Sequence, residues 1–441
     1  MDHSLLRREM GQVIFGERRA RNAILSPAAK RRIAKLPDRF EEWNAVMLLK
    51  SLHLRNFLSF GRDSLPVELG PLNVIIGANG SGKSNFIEAI DLMRAAPCAS
   101  ESSNTRALVR DGGGVDEWIW NGAEDDSGAS IEAVLDRPGK ETDMRYVMRF
   151  AVAGQDRFEI REERVEDAIP SGGRNDPHFF YRRIDGKSMF EENGEHRDFR
   201  DGKIDAGESI LAHCKDPEHY PELAWLGETL AKMRIYREWN FGRNTVLRDP
   251  QMADQSDAQL APNADNIGLV LLRLCCEPEV KERILKALRK LYDGIDDFYL
   301  QLERGKVQLF IQEGSHAVPV KRLSDGTLRY LSLLAILCHP NPAPLICIEE
   351  PELGMHPDVV MTIAKLLVEA SENTQLIVTT HSDFLVDVLT KQPESVFVAE
   401  NDADGTHLER LEAEKIKPWL KDYGNSLGEF WMSGHIGGLR W

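Results

Sequence analysis

No stretch of this 441-residue chain stays apolar for the ~18–20 residues that a membrane-spanning helix needs; the most apolar helical run, residues 328–337, is about half that. The amino terminus lacks the apolar core of a secretory signal. The six cysteines (Cys98, Cys214, Cys275, Cys276, Cys338 and Cys347) form no C-x-x-C pair and no metal-ligand spacing, which points to reduced thiols in a cytoplasmic protein. Cys275 and Cys276 lie in an apolar helical run and read most simply as core. Heptads never persist for three or four repeats, so a long coiled coil is excluded. Internal repeats and extended low-complexity tracts are also missing. Basic residues are outnumbered: 55 Lys and Arg against 71 Asp and Glu give a net charge of −16. That balance argues against a chain coated in nucleic acid, while leaving room for a local basic groove. A 42% hydrophobic content is enough for real cores, and the length allows two or three domains.

Residues 1–46 differ from the rest of the chain, with arginines clustered at 7–8, 18–21 and 31–32 and breaks at Ser26-Pro27 and Leu36-Pro37. They read as a basic, weakly packed extension, or as an arm for a partner or nucleic acid; Met47 would itself serve as a start. From Met47 the alternation of Leu49, Ser51 and His53 predicts a strand, and a second is expected around Leu65–Leu69. Residues 97–116, rich in Ser, Asn and Gly, are expected to be a loop. Period-2 stretches at Ser130–Leu135, Arg145–Val152 and Arg157–Glu163 predict a small antiparallel sheet, followed by breaks at 169–177 and 192–207. Helical spacing returns at 220–233 and 265–291, and Val307–Ile311 and Val318–Val320 read as strands.

Against this background one stretch carries chemistry by itself. Gly77-Ala78-Asn79-Gly80-Ser81-Gly82-Lys83-Ser84 follows an apolar strand, residues 72–76, and opens a helix expected to run from Ser84 to about Ala95. This is the phosphate-binding loop in its confirming context. Glycines let backbone N–H groups close around phosphate oxygens, and the helix N-terminus faces the same negative charge. Lys83 supplies a point charge to the terminal phosphates, and the Ser84 hydroxyl is placed to ligate Mg²⁺. The bland reading, a Gly-rich turn, does not account for the strand and helix around it. The implied ligand is ATP or another nucleoside triphosphate.

Three further stretches gain meaning beside it. Leu345-Ile346-Cys347-Ile348-Glu349-Glu350-Pro351-Glu352 is an apolar strand ending in carboxylates. Glu349 falls where a metal-holding acid is needed, and Glu350 where a base would orient the attacking water. Taken alone, the stretch is equally an ordinary strand ending in solvated acids. Leu376-Ile377-Val378-Thr379-Thr380-His381-Ser382 is another apolar strand, and His381 at its end could sense a γ-phosphate or be structural. Leu323-Ser324-Asp325-Gly326-Thr327 opens an apolar helix; Ser324 is either a plain N-cap or part of a second anion cradle.

In this order the four motifs resemble the ABC-type ATPase heads, nearest to the SMC/RecF/OLD branch and its stand-alone bacterial AAA-family ATPases. Leu-His-Leu-Arg-Asn-Phe-Leu-Ser-Phe at 52–60 resembles that branch's opening strand. The resemblance runs over about 47–441, including the tail Leu427-Gly428-Glu429-Phe430-Trp431, so the chain is expected to be complete at its C-terminus. It implies an α/β fold: a P-loop ATPase head, with a mixed or parallel sheet core flanked by helices, and an inserted α+β lobe. The expected organisation is an extension at 1–46, an N-lobe at 47–96, the insertion at 97–320 and a C-lobe at 321–441. The resemblance gives Gly77, Asn79, Gly80, Ser81, Gly82, Lys83 and Ser84 to ATP and Ser84 and Glu349 to Mg²⁺. Glu350 becomes the catalytic base and His381 the switch histidine. Ser324 and Gly326 become the signature that contacts ATP on a second subunit, and Arg55 and Asn56 lie near the nucleotide. The sequence departs from the pattern where Asp325-Gly326-Thr327 replaces Gly-Gly-Gln and Glu349 replaces Asp, and no glutamine is assigned to the Q-loop.

The expected function is therefore an ATPase whose ATP-driven homodimerisation switches a separate effector, a nuclease or toxin, in DNA repair or antiviral defence, with DNA as a further candidate partner. One alternative is the ATP-binding subunit of a transporter. It is disfavoured by Pro-Glu-Leu-Gly-Met-His-Pro after the acids and by the long insertion. A non-hydrolysing scaffold is the other, and Lys83 and Glu350 argue against it. A chromosome-organising SMC protein would need coiled-coil residues for which there is no room. The roughly 60 residues after His381 lack the clustered acids of a TOPRIM nuclease, so no nuclease of its own is expected; the separate effector is what the resemblance implies.

Overall fold

In a computed structural model, the residues described are 47–124, 128–154, 156–170, 176–192, 195–198, 204–237, 239–424 and 426–436. The chain divides after Trp43, and the described residues belong to the unit Asn44–Trp441. The basic extension at 1–46 lies outside the described residues, as do residues 171–175 of the expected break at 169–177.

In chain order, β1 (Leu49–Arg55), β2 (Val67–Glu68) and β3 (Leu72–Gly77) precede α1 (Lys83–Ala95) and α2 (Thr105–Asp111). A run of strands follows: β4 (Ala129–Leu135), β5 (Met144–Ala153), β6 (Arg157–Asp167), β7 (Phe179–Ile184), β8 (Lys187–Glu192) and β9 (Glu195–Asp198). After α3 (Pro221–Ala231) come β10 (Arg234–Tyr236), β11 (Gln251–Met252), α4 (Ile267–Leu274) and α5 (Pro278–Leu288). Next are β12 (Asp297–Glu303), β13 (Lys306–Glu313), β14 (His316–Pro319), α6 (Asp325–Leu337) and β15 (Leu345–Glu349). The chain continues through α7 (Pro357–Ala370), β16 (Gln375–Thr379), α8 (Asp383–Val388), β17 (Val396–Asp402), β18 (Gly405–Arg410), α9 (Ala413–Leu420) and α10 (Leu427–Met432).

The strands form three sheets. One is wholly antiparallel, in the order β2-β1-β4-β5-β6-β7-β8-β9. The second, β10-β15-β16-β3-β17-β18, is parallel except at its β17–β18 edge. A third has β13 flanked by β12 on one side and by β11 and β14 on the other. The parallel sheet draws on the continuous apolar runs: all six residues of β3 are buried, as a strand covered on both faces requires. The antiparallel sheet draws on alternating runs, and β4 repeats buried and half-buried residues along its length.

Helix α1 lies within a core shared by the two large sheets. Its Phe86, Ile87, Ala89 and Ile90 join Leu52 and Leu54 of β1, Ile131 and Ala133 of β4, and Cys347 and Ile377 of the parallel sheet. Gln375 pins the sheets together by hydrogen bonds. Its Oε1 accepts from the amides of Leu48 and Leu49, and its Nε2 donates to the carbonyls of Leu49 and Gly70.

Four expectations change. Residues 97–116 are not all loop, because Asn104 caps α2 by accepting from the Ala107 amide at 2.9 Å; the polar composition was helix-capping chemistry. The helical stretch at 265–291 is two helices, with Pro278 starting the second where a proline needs no amide partner. The antiparallel sheet is large rather than small, since β1 and β2 from before residue 96 extend one side of it and β7 to β9 extend the other. Strand β9 falls within the expected break at 192–207.

Candidate functional site

Parallel pairing gathers the site. Because β10, β15, β16 and β3 run the same way in neighbouring positions, their carboxyl ends open on one edge, the usual place for a ligand in such sheets. Register is tight there: Tyr236 pairs with Ile348, Glu349 with Thr379, and Thr379 with Ile75. Gly77, Glu349 and the segment Thr379–His381 are therefore delivered to one place from distant parts of the chain.

The phosphate loop is shaped by its glycines. Gly82 sits at φ 93°, in the left-handed region, and a Cβ there would collide with the Thr406 hydroxyl. Gly80, at φ 76°, faces open space. Lys83 Nζ donates to the carbonyls of Gly77 and Ala78, each at 2.9 Å, folding the ammonium over the loop. Burial pulls the Lys83 pKa down, while Glu350, Glu349 and Glu352 push it up, so the three carboxylates converge on the ammonium. The Ser81 hydroxyl oxygen is buried with no hydrogen-bond partner among the described residues.

Glu349 ends β15, and Glu350 follows in a left-handed conformation at φ 44°. For a non-glycine residue that is a strained backbone, held here by three bonds, one of them from the Leu353 amide to the Glu350 carbonyl at 3.1 Å. The Glu350 amide donates to Thr379 O at 3.0 Å, and Arg329 Nη1 donates to the Glu350 carbonyl at 3.1 Å. His381 Nε2 lies 3.7 Å from Glu350 Oε1. Burial and then Lys83 lower the His381 pKa, and Glu350 opposes them.

Ser324 caps α6, accepting from the Thr327 amide at 3.0 Å, and remains exposed. A Cβ on Gly326 would stand 3.2 Å from the carbonyl of Gly354, so the loop after the acids abuts this helix start. Arg55 lies exposed, donating to His53 Nε2 at 3.2 Å. Asn56, at φ 50°, is buried and donates its amide to the carbonyl of Gly128 at 3.3 Å. These bonds join Arg55 to β1 and Asn56 to the loop before β4.

Several residues at the site carry no motif. Glu352 Oε1 accepts from the Thr380 hydroxyl and the His381 amide, both at 2.7 Å, tying the carboxylate segment to the histidine segment. Its pKa is raised, chiefly by burial. Thr406 donates to Ser81 O at 3.2 Å and to Ser59 Oγ at 2.7 Å, and Asn401 donates to Gly80 O at 3.2 Å. Arg248, buried, donates to the carbonyls of Phe241 and Leu323 and pairs with Asp325 at 2.5 Å, bracing the start of α6. Arg237 pairs with Glu88 and lies 3.7 Å from Glu349. The one foreseeable signal was the third acid of Glu349-Glu350-Pro351-Glu352; the others arrive by tertiary contact alone.

These residues fit a nucleoside triphosphate with a hard divalent cation. An open glycine cradle meets a helix N-terminus, and the buried ammonium is bonded to carbonyls that a phosphate could replace. The described residues contain no group of three or more His, Cys, Asp or Glu able to hold a metal ion. Mg²⁺ takes one or two protein oxygens beside phosphates and water, and Ser84 and Glu349 are the candidates here. Such a cation would neutralise charge on the transferring phosphoryl group. No helix among the described residues is long and apolar enough to cross a membrane.

Comparison with known proteins places these features. A family model described as "AAA domain, putative AbiEii toxin, Type IV TA system" matches residues 72–387. The chain is 31% identical over 103 residues to the "DNA replication and repair protein RecF" of Thermosynechococcus vestitus (strain NIES-2133 / IAM M-273 / BP-1), a match that spans 23% of each chain. Among solved structures it is similar to an "SmcHead bound to the C-winged helix domain of ScpA", with a TM-score of 0.48 and 16% identity, covering 83% of this chain and 99% of that one. The "SMC head domain from Thermotoga maritima" gives 0.41 and 16%, covering 83% and 100%. The family match runs from the strand before the phosphate loop into the helix after His381, and the chain belongs to this AAA-domain family.

Proposed function

We propose that this protein hydrolyses ATP with Mg²⁺ and that ATP joins two copies of the chain. Phosphates held by Gly77, Asn79, Gly80, Ser81, Gly82 and Lys83 of one copy face Ser324 and Gly326 of the other. Ser84 and Glu349 hold the metal, Glu350 activates the attacking water, and His381 responds to the γ-phosphate. Hydrolysis separates the copies, so the dimer is a switch set by γ-phosphate contacts. A two-fold homodimer closes this arrangement with two identical sites.

The observation that carries the reading is the Ser324 cap. It presents the N-terminus of a 13-residue helix to solvent, and its hydroxyl bonds with Thr327 among the described residues. A helix start of that kind attracts anions, and a second copy's nucleotide supplies one. The description of the matched family and the name of the RecF relative support an output in toxin-linked defence or DNA repair; the partners proposed for that output are a separate nuclease or toxin, and DNA. The domain organisation proposed is an ATPase head at 47–96 and 321–441 with 97–320 inserted, working in the cytoplasm.

Complementation tests the shared site. K83A and S324R should each be inactive alone. Mixed in equal amounts they should recover about a quarter of wild-type ATPase activity, since half the random dimers contain one intact site of two. No recovery in the mixture, with both variants folded, would show that Ser324 does not act on its neighbour's ATP.

A further inference from the structure

Arg237 is the first residue after β10, and the parallel register of Tyr236 with Ile348 sets it beside Glu349. Its guanidinium pairs with Glu88 through Nη1, and its Nε lies 3.7 Å from Glu349 Oε1. The three side chains are 25%, 19% and 17% exposed, so the cluster is largely withdrawn from solvent. Glu88 lies four residues after Ser84 on α1, which puts the two on one face of the helix. One guanidinium thus contacts two acids, Glu88 on the helix that carries Ser84 and Glu349 at the end of the strand.

We propose that Arg237 is a resident counter-ion that competes with the divalent cation for Glu349, and that Glu88 is the carboxylate that keeps it when the cation arrives. The inference rests on the nucleotide reading above and adds a determinant of metal affinity to it. A guanidinium remains charged at any working pH, so this competitor cannot be removed by deprotonation. In the metal-free protein it offsets the cost of holding Glu349 as a largely buried anion. A cation at Glu349 and the guanidinium would be like charges a few ångströms apart, so the Arg237–Glu349 contact is the one to yield. Glu88 gives the displaced charge a partner without moving the backbone. Arg237 is on this view a positioning residue: it sets how much free cation the nucleotide site needs before Glu349 is engaged.

Arg237 and Glu88 predict opposite effects, which a purely structural brace would not. Mn²⁺ binding is measured by electron paramagnetic resonance on the full chain loaded with a non-hydrolysable ATP analogue. Melting temperatures of the nucleotide-free, metal-free protein are recorded alongside. R237Q should tighten Mn²⁺ by roughly threefold to tenfold, because a nearby like charge is gone. E88Q should weaken it by a similar factor, because Arg237 then rests on Glu349 alone, and R237K should fall between wild type and R237Q. Unchanged Mn²⁺ affinity in both R237Q and E88Q, with only lower melting temperatures, would overturn the proposal in favour of a brace and leave the nucleotide reading standing. Weaker Mn²⁺ binding in R237Q would overturn it as well. A wild-type chain that binds neither the analogue nor Mn²⁺ would instead remove the nucleotide reading, and this inference with it.

Discussion

Glu350 and His381 face each other across the ends of two adjacent parallel strands, with Oε1 of the first 3.7 Å from Nε2 of the second. That separation exceeds a hydrogen bond, so neither group is locked onto the other. The Glu350 carboxylate is 41% exposed and stands on a strained backbone fixed by Thr379 and Arg329. The geometry fits a base that must reach a water.

E350Q keeps the shape and removes the basicity. Hydrolysis should fall by roughly 10²–10⁴-fold, the usual weight of a general base, while ATP binding persists. If ATP joins two copies, the variant should elute as a stable dimer with ATP and Mg²⁺ and as a monomer without them, as read by size-exclusion chromatography with light scattering. An E350Q protein whose mass ignores ATP would count against the switch, whatever its hydrolysis rate.

His381 supplies a pH signature. Burial and Lys83 place its folded-state pKa below the ordinary 6.5. Above 6.5 the imidazole is neutral in both folded and unfolded chains and contributes nothing. As pH falls through 6.5 the unfolded chain takes up a proton that the folded one resists, and stability is lost down to the folded value. H381Q lacks that loss. Its melting temperature relative to wild type should therefore rise on going from pH 7.5 to 5.5; a constant difference would mean that the imidazole is not held neutral.

Gln375 makes a stability prediction remote from the chemistry. Its four bonds to Leu48, Leu49 and Gly70 lie where the two large sheets meet, three of them buried, and the residue itself is fully buried. Q375L fills similar space but takes this partner from two amides and from the Leu49 carbonyl, while Gly70 O keeps its bond from Asn73. Each such loss costs on the order of 1–3 kcal/mol, and partial relaxation makes about 3 kcal/mol a fair total. Urea unfolding should show the midpoint drop; a change under about 0.5 kcal/mol, typical of surface sites, would mean that the sheets are not joined there.

What the sequence made legible was whatever chemistry packs into contiguous residues. Gly77–Ser84, Glu349-Glu350 and Thr379-Thr380-His381 each need their residue types side by side, and they declare themselves. Arg237 does not, because nothing local marks an arginine after a three-residue strand; only parallel pairing with β15 puts it beside Glu349. Thr406 reaches Ser81 from an edge strand contributed by the far end of the chain. The fold shows the same division. Apolar runs marked the buried parallel strands, but the Asn104 cap turned a polar stretch into helix, and the antiparallel sheet recruited β1 through pairings that no window of sequence displays.

Glu352 separates charge from hydrogen bonding at the site. Its folded pKa is raised, first by burial, against the acceptor bonds that favour the anion. The stabilising state is thus the protonated one, present below the ordinary carboxylate value and lost as pH rises through the folded pKa. E352Q keeps an oxygen for the Thr380 hydroxyl and the His381 amide but carries no charge. At pH 7 it should be at least as stable as wild type, and that advantage should vanish below pH 4.5, the ordinary glutamate value. It also removes a negative charge that acts on Lys83 and Arg329, so ATP should bind at least as tightly in calorimetry. E352A instead leaves a hydroxyl and an amide without their acceptor, at about 1–3 kcal/mol, and frees the segment that carries His381. If E352Q melts below E352A at pH 7, the buried charge itself holds the two segments together, and the roles assigned to bond and charge are reversed.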